Sequence, residues 1–355
     1  MNILIFGGTG AMGAHLIDIL STDKQNQIYV TSRAKRKSHD NIHYFEGNAH
    51  DVEFIKPILE KKWDAIIDFM VYSSHEFNGR AALFLESTSH YIFLSSARVY
   101  ANSNEKLTEN SPRLLDSSDD LEYHATDEYA LSKARQEDIL RKSGKKNWTI
   151  IRPYITYSSD RLQLGVLEKE EWLYRALHGR TIVFSKDICT KFTTLTFGYD
   201  VSKGIAALIK NEKAYGEAFH ITNDNEQSWE NILDIYRKVL TKHLKKTPKV
   251  KFVSIDSMEK IHPAKYQIHY DRLYNRLFDN KKINEFINTQ SFTPIEEGLT
   301  ACLEQFLRSP CFKNINWKNE AIKDRISGEF TPLQEIKGGK QIIKYLIFRF
   351  FELKN

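Results

Sequence analysis

Tyr129 and Lys133 stand four residues apart in DEYALSK, residues 127–133. On a helix that spacing stacks the two side chains on one face. A phenol with an ammonium one turn away is a proton-transfer pair. A free tyrosine titrates near about 10, and a neighbouring cation favours its phenolate. A serine hydroxyl in the same crevice would complete a set for carbonyl chemistry. The tyrosine protonates the oxygen as hydride reaches the carbon, and the serine steadies the developing charge. YIFLSSARVYA, 91–101, supplies that serine as Ser96, at the end of an apolar run. The spacing alone is cheap, because YDVSK at 199–203 repeats it. Position separates the copies. Tyr129 lies between the serine-ended run and the next apolar run, WTIIRP, whereas Tyr199 has no serine-ended run immediately before it. Tyr199 therefore reads as structural.

FGGTGAMG, residues 6–13, joins the first apolar run to the first helical stretch. Gly8, Gly10 and Gly13 satisfy G-x-G-x-x-G, and Gly7, Gly10 and Gly13 the related G-x-x-G-x-x-G. Such glycines let backbone approach a pyrophosphate at a helix N-terminus. Gly7, Thr9, Gly10, Ala11, Met12 and Gly13 are thus expected to bind a dinucleotide. The second run, QIYVTS, ends without an acid but with Ser32 and Arg33, and Lys35 and Arg36 follow. An acid there would bond the ribose hydroxyls of NAD, whereas a hydroxyl and a guanidinium suit a 2′-phosphate. The expected cofactor is NADP(H), with NAD(H) as the alternative.

These residues need a scaffold that brings run ends together. NILIF, QIYVTS, IHYFEG, DAIIDFM, YIFLSS and WTIIRP are continuous apolar runs alternating with helical patterns. That is the signature of a parallel sheet covered on both faces. The expectation is an α/β chain with a Rossmann-type doubly wound sheet over 1–157. A smaller, mainly substrate-binding domain follows over 158–307, with some strands returning to the main sheet. A C-terminal extension over 308–355 ends in an amphipathic helix. KFTTLTF (191–197) and EAFHIT (217–222) read as strands, EEWLYRALHGR (170–180) as a helix, and Ser228 as the cap of another. ANSNEKLTENSPRLLDSSDD, 101–120, reads as a polar loop.

Composition closes off other classes. The net charge of +5 over 355 residues is too scattered for a nucleic-acid surface. Cys189, Cys302 and Cys311 are too widely spaced for a zinc site or a disulfide framework, so a reducing, cytoplasmic setting and no metal are expected. NILIF leads into glycines rather than a cleavage site. The tail IIKYLIFRFFEL carries charges and is amphipathic rather than spanning, so it is expected to pack on the body or on a partner subunit, with attachment to a membrane surface as the lesser alternative.

GGTGAMG, WDAIIDFMVYS, YIFLSSARVY, LTENSP, YALSK and IIRP occur in the order typical of the extended short-chain dehydrogenases/reductases, the NAD-dependent epimerase/dehydratase family. FTTLTFGYDVSKGIAALI, EAFHITNDNEQSWENIL and SFTPIEEGLTACLEQFL resemble its later segments, so the likeness covers about 1–307. The resemblance implies catalytic Ser96, acid/base Tyr129 and its partner Lys133. It implies cofactor contacts from Asn48 and Ala49 at adenine, from Met70, Val71 and Tyr72, and from Pro153 and Ile155 beside the nicotinamide. Candidates on the substrate side are Tyr72, Arg98, His124, Tyr157, Arg161 and Arg180. The resemblance further implies a homodimer through the helix near 127–143 and a small-molecule sugar substrate. Departures are Ile155 where many members have asparagine, Thr193 where many have arginine, and Ala97 and Arg98 where a dehydratase has acids. The expected reaction is NADP(H)-dependent reduction of, or epimerisation via, a 4-keto group of a nucleotide-activated or related sugar, as in polysaccharide biosynthesis. An NAD-dependent 4-epimerase with retained cofactor and a non-catalytic dinucleotide-binding scaffold are the alternatives.

Overall fold

Seven apolar runs become the seven parallel strands of one sheet, in a computed structural model that describes residues 1–351. They are β1 (Asn2–Phe6), β2 (Gln27–Ser32), β3 (Ile42–Glu46), β4 (Ala65–Asp68), β5 (Tyr91–Leu94), β6 (Trp148–Pro153) and β7 (Glu217–Ile221). Their spatial order is β7-β6-β5-β4-β1-β2-β3. Alternate residues of each strand feed opposite faces. Ile3 and Ile5 of β1 join Ile28, Val30, Ile92 and Leu94 in one core cluster, while Leu4 and Phe6 join Ile66, Tyr91 and Phe93 in another. Both faces are therefore buried, which is why these strands read as unbroken apolar runs.

The strand order reverses at β1, which pairs with β2 on one side and β4 on the other. The carboxyl ends of strands at such a reversal open the crevice in which α/β sheets bind ligands. The first helix, α1 (Gly13–Ser21), leaves β1 through the glycine loop.

The chain divides into two units. The first holds Met1–Thr156, Thr194–Asn225 and Leu277–Ile295, so β7 returns to the main sheet beside β6. The second holds Tyr157–Thr193, Glu226–Arg276 and the residues from Glu296 onward, and it takes in the segment that the sequence reading set apart as an extension. In this unit, strands Ile182–Ser185 and Val250–Val253 pair in parallel. Ser228 caps the Trp229–Leu244 helix by accepting the Asn231 N–H. Arg175 is fully buried and donates to Glu320, Asp324 and Glu329, tying the Lys169–Leu177 helix to the Trp317–Ser327 helix. KFTTLTF is not one strand. It forms two-residue pieces, Phe192–Thr193 and Thr196–Phe197, because the chain passes from one unit to the other between Thr193 and Thr194. The 101–120 loop holds a short helix, Leu114–Ser117.

His90, at the entry to β5, is fully buried, with one ring nitrogen on the Thr149 hydroxyl and the other accepting the Lys210 N–H. Burial, helped by Lys210, lowers its pKa to about 4. The unfolded chain takes this proton near about 6.5 and the folded chain only near 4. The group's contribution is therefore present in full above the unfolded value and is lost as pH falls through the folded one. Urea unfolding compared at pH 7 and pH 5 is expected to show roughly 2 kcal/mol of acid destabilisation from this residue. A His90→Gln variant should show correspondingly less pH dependence. An identical pH dependence in the variant would remove His90 from the account.

Candidate active site

The glycine loop is shaped by close approach. A Cβ on Gly13 would lie 2.6 Å from backbone atoms of Gly8, so α1 can sit this near β1 only with glycine at 13. Gly7 has φ +68°, in the left-handed region that favours glycine. At Gly10 a Cβ would meet nothing within 4 Å, so that backbone lies open. Met12, the residue before α1, makes no side-chain capping bond, and the first turn holds no acid. The helix end thus presents uncapped N–H groups and its partial positive charge. This cradle fits a dinucleotide pyrophosphate.

The second Tyr-x-x-x-Lys copy supports this loop. Ser202 donates to Met12 O at 2.8 Å. Tyr199 is 40% exposed and meets His15 of α1 edge-on, while Lys203 pairs with Asp200 at 2.6 Å. These residues bind the Gly198–Leu208 helix to α1.

The first copy sits at the carboxyl ends of β4 and β5. Tyr129 opens the helix Tyr129–Lys142. Lys133, one turn on, is almost fully buried and donates from Nζ to Leu94 O at 2.7 Å and Met70 O at 3.4 Å. Met70 in turn packs against Gly7. Ser96, two residues past the end of β5, accepts the Arg98 N–H on Oγ at 3.2 Å. The Arg98 guanidinium bonds Glu128 at 2.6 Å and lies 5.2 Å from the Tyr129 ring centre. Ser96, Tyr129 and Lys133 are therefore gathered around one strand end and joined to the glycine loop through Met70.

Burial lowers the Lys133 ammonium to a pKa of about 8, against the opposing pull of Asp68 and Glu137. Asp68, the last residue of β4, is fully buried and accepts from Met70 N, Tyr72 Oη and Tyr91 Oη. Burial raises its carboxyl above the usual value despite those donors and Lys133. Glu137 continues the face of Tyr129 and Lys133 by one more turn. It accepts two bonds from Arg152 of β6, at 2.8 and 2.6 Å, and one from Ser95 Oγ at 2.6 Å. Burial opposes ionisation of Glu137, but Arg152, Ser95 and Arg113 outweigh it and hold the carboxyl low. Sequence reasoning missed Asp68 and Glu137. The 129, 133, 137 spacing was a usable signal for Glu137; nothing local marked Asp68.

Other expected positions scatter. Ser32 is buried and its hydroxyl donates to Ala34 O, while Arg33 is exposed. Asn48 is exposed, its side chain accepting from His50 N, and Ala49 is buried. Val71 is exposed, whereas Tyr72 is buried, with Arg80 over its ring and its hydroxyl on Asp68. Pro153 ends β6, and Ile155 is buried with φ +22°, an unfavourable backbone for a β-branched residue. His124 bonds Ser118 O at 2.8 Å. In the second unit, Tyr157 is buried against Gly298, Arg161 faces Glu168 at 3.8 Å, and Arg180 is buried with Glu335 at 3.0 Å. Arg180 is thereby already neutralised. Among the described residues no group of His, Cys, Asp and Glu side chains is arranged to hold a metal.

Residues 7–183 match a family model described as NAD(P)H-binding. No curated protein matches the sequence. Solved structures match in fold at low identity. The dTDP-glucose 4,6-dehydratase of Bacillus anthracis str. Ames, in complex with NAD, has a TM-score of 0.66 at 17% identity, covering 87% of this chain and 97% of its own. The UDP-glucuronic acid 4-epimerase of Bacillus cereus, in complex with UDP-glucuronic acid and NAD, has a TM-score of 0.63 at 15% identity, covering 86% and 100%. The Thermus thermophilus UDP-glucose 4-epimerase, in complex with NAD, has a TM-score of 0.62 at 16% identity, covering 88% and 100%. The chain thus carries an NAD(P)H-binding segment and, with its parallel seven-stranded sheet and glycine loop, shares the fold of these NAD-bound epimerases and this dehydratase.

Proposed function

We propose that the chain is an NADP(H)-dependent oxidoreductase that reduces a 4-keto group on a nucleotide-activated or related sugar. The observation that carries this reading is the convergence of Ser96, Tyr129 and Lys133 at the end of β5, tied through Met70 to the glycine loop. The cofactor, when bound, supplies the hydride. Gly7 to Gly13 would hold its pyrophosphate, and Ser32 and Arg33 the ribose phosphate. Tyr129 gives its proton to the carbonyl oxygen. The Arg98 guanidinium beside the ring and the Lys133 ammonium one turn away favour the phenolate left behind. Ser96 accepts a bond from Arg98 N, which leaves its O–H to donate to the same oxygen.

The preference for NADP(H) rests on exposed Arg33, Lys35 and Lys37, which have no ion-pair partner among the described residues. A second reading, an NAD-dependent 4-epimerase that retains its cofactor, is favoured by the epimerases with NAD among the structural neighbours. Only a reductase consumes NADPH in proportion to product, so that stoichiometry separates the two.

Three measurements test the reading. Tyr129→Phe should cut turnover of a nucleotide 4-keto sugar on the order of 10²–10⁴-fold, with NADPH binding unchanged. Full turnover in that variant would dismiss Tyr129 as the acid. Arg33→Ala should weaken NADPH binding about tenfold or more and leave NADH binding alone, because it removes a charge-assisted contact to phosphate. Equal affinity of the unmodified protein for NADPH and NADH would end the NADP(H) preference. The pH profile of kcat/KM for reduction, which reports the free enzyme, should hold up to about 8 and decline above it. Lys133 is charged below its pKa of about 8 and loses its proton above it. A profile with no basic limb near that value would contradict the role of its charge.

A further inference from the structure

Phe330, Ile343, Ile347, Phe350 and Phe351 are 37% to 65% exposed, and all lie within one short stretch near the end of the described chain. The other exposed large apolar side chains are spread from Met1 to Phe252. Ile343, Ile347 and Phe350 recur at i, i+4 and i+7 of the Gly339–Phe350 helix and so share one face. The Phe350 ring lies 6.3 Å from that of Phe330. A single apolar residue on a surface needs no explanation, but a contiguous patch marks a partner.

The patch is held in place from its other side. Tyr345 is fully buried, donates to Asp324 at 2.7 Å and accepts the Thr331 N–H. Ile342, Leu346 and Phe348 pack on Trp317 and Ile336. Arg325 donates to the Phe348 and Phe351 carbonyls at the helix end. The helix is thus anchored by one face and presents the other.

Charge identifies the partner. Lys337, Lys340 and Lys344 are exposed on and beside the patch, without an ion-pair partner among the described residues, and Lys318 lies over the Phe348 ring. No acid occurs between Ile336 and Phe351. A second copy packed about a two-fold axis would set these lysines against their own mates with no acid from the Ile336–Phe351 stretch to offset them. An aqueous polyanion would meet the lysines but leave the rings wet. An anionic bilayer surface satisfies both, taking the apolar face into the headgroup boundary and the lysines at the phosphates.

We propose that the exposed face of the Gly339–Phe350 helix docks the protein on an anionic phospholipid surface. The chain does not cross it, since no helix among the described residues is long and apolar enough to span a membrane. The sequence reading ranked attachment to a membrane surface behind packing of the tail on the body or on a partner subunit; docking needs no span.

The test is co-sedimentation of the full chain with vesicles of phosphatidylcholine alone and of phosphatidylcholine mixed equally with phosphatidylglycerol. Binding is expected to the mixed vesicles only, and to fall about tenfold or more when salt is raised to several hundred millimolar. Lys340→Glu with Lys344→Glu, and separately Ile343→Ser with Phe350→Ser, should each lose binding at an unchanged melting temperature, because these side chains are exposed. No binding to mixed vesicles overturns the proposal. So does a dimer in sedimentation velocity that the Ile343→Ser, Phe350→Ser pair dissolves, since the face would then belong to a second copy.

Discussion

A buried ion pair, Glu137 with Arg152, fixes the geometry on which the site depends. Glu137 lies on the helix that carries Tyr129 and Lys133, and Arg152 lies on β6. Both are essentially without solvent contact. Removing Glu137 would strand the Arg152 charge in the interior, at a cost of about 3–5 kcal/mol, whereas Glu137 also faces Arg113 at 3.3 Å. The same carboxylate takes the Ser95 hydroxyl, the residue before Ser96. One group therefore sets the helix against the sheet and holds the backbone that presents the serine. Arg152 extends the network to the Tyr100 hydroxyl at 3.0 Å, and Tyr100 faces His220 of β7.

The second constraint is steric. Gly13 lies where a Cβ would strike the backbone of Gly8, so α1 starts close behind β1 and its N-terminus meets the open loop at Gly10. Met70 passes this arrangement on, packing on Gly7 while its carbonyl takes Lys133. Lys133 is buried at a cost that Asp68 and Glu137 only partly offset. The role proposed for Lys133 would make that cost a compromise between stability and activity.

Much of this was legible beforehand. The strands and their parallel arrangement follow from apolar runs alternating with helical periods, and the cofactor cradle follows from glycines at a strand–helix junction. Ser96, Tyr129 and Lys133 are candidates by their order along the chain, and their contacts place them near the end of β5. Less was legible where a side chain has two plausible directions. Tyr72 sits at a strand end beside the loop, yet its ring fills the core and its hydroxyl reaches Asp68. KFTTLTF has the composition of a strand, but the chain changes unit within it.

The sheet and the glycine loop can be read from the sequence alone, because each rests on local periodicity, and the order of neighbouring motifs makes Tyr129 and Lys133 the preferred candidate pair. Tertiary structure decided which charges are free to act. Arg180 is bound by Glu335, 155 residues away, and Arg175 by Glu320, Asp324 and Glu329. Glu137 is an ordinary helix acid in the sequence and a buried anchor in the fold. The physical reason is that an ion pair forms between side chains brought together by packing, and the distance along the chain places no bound on it.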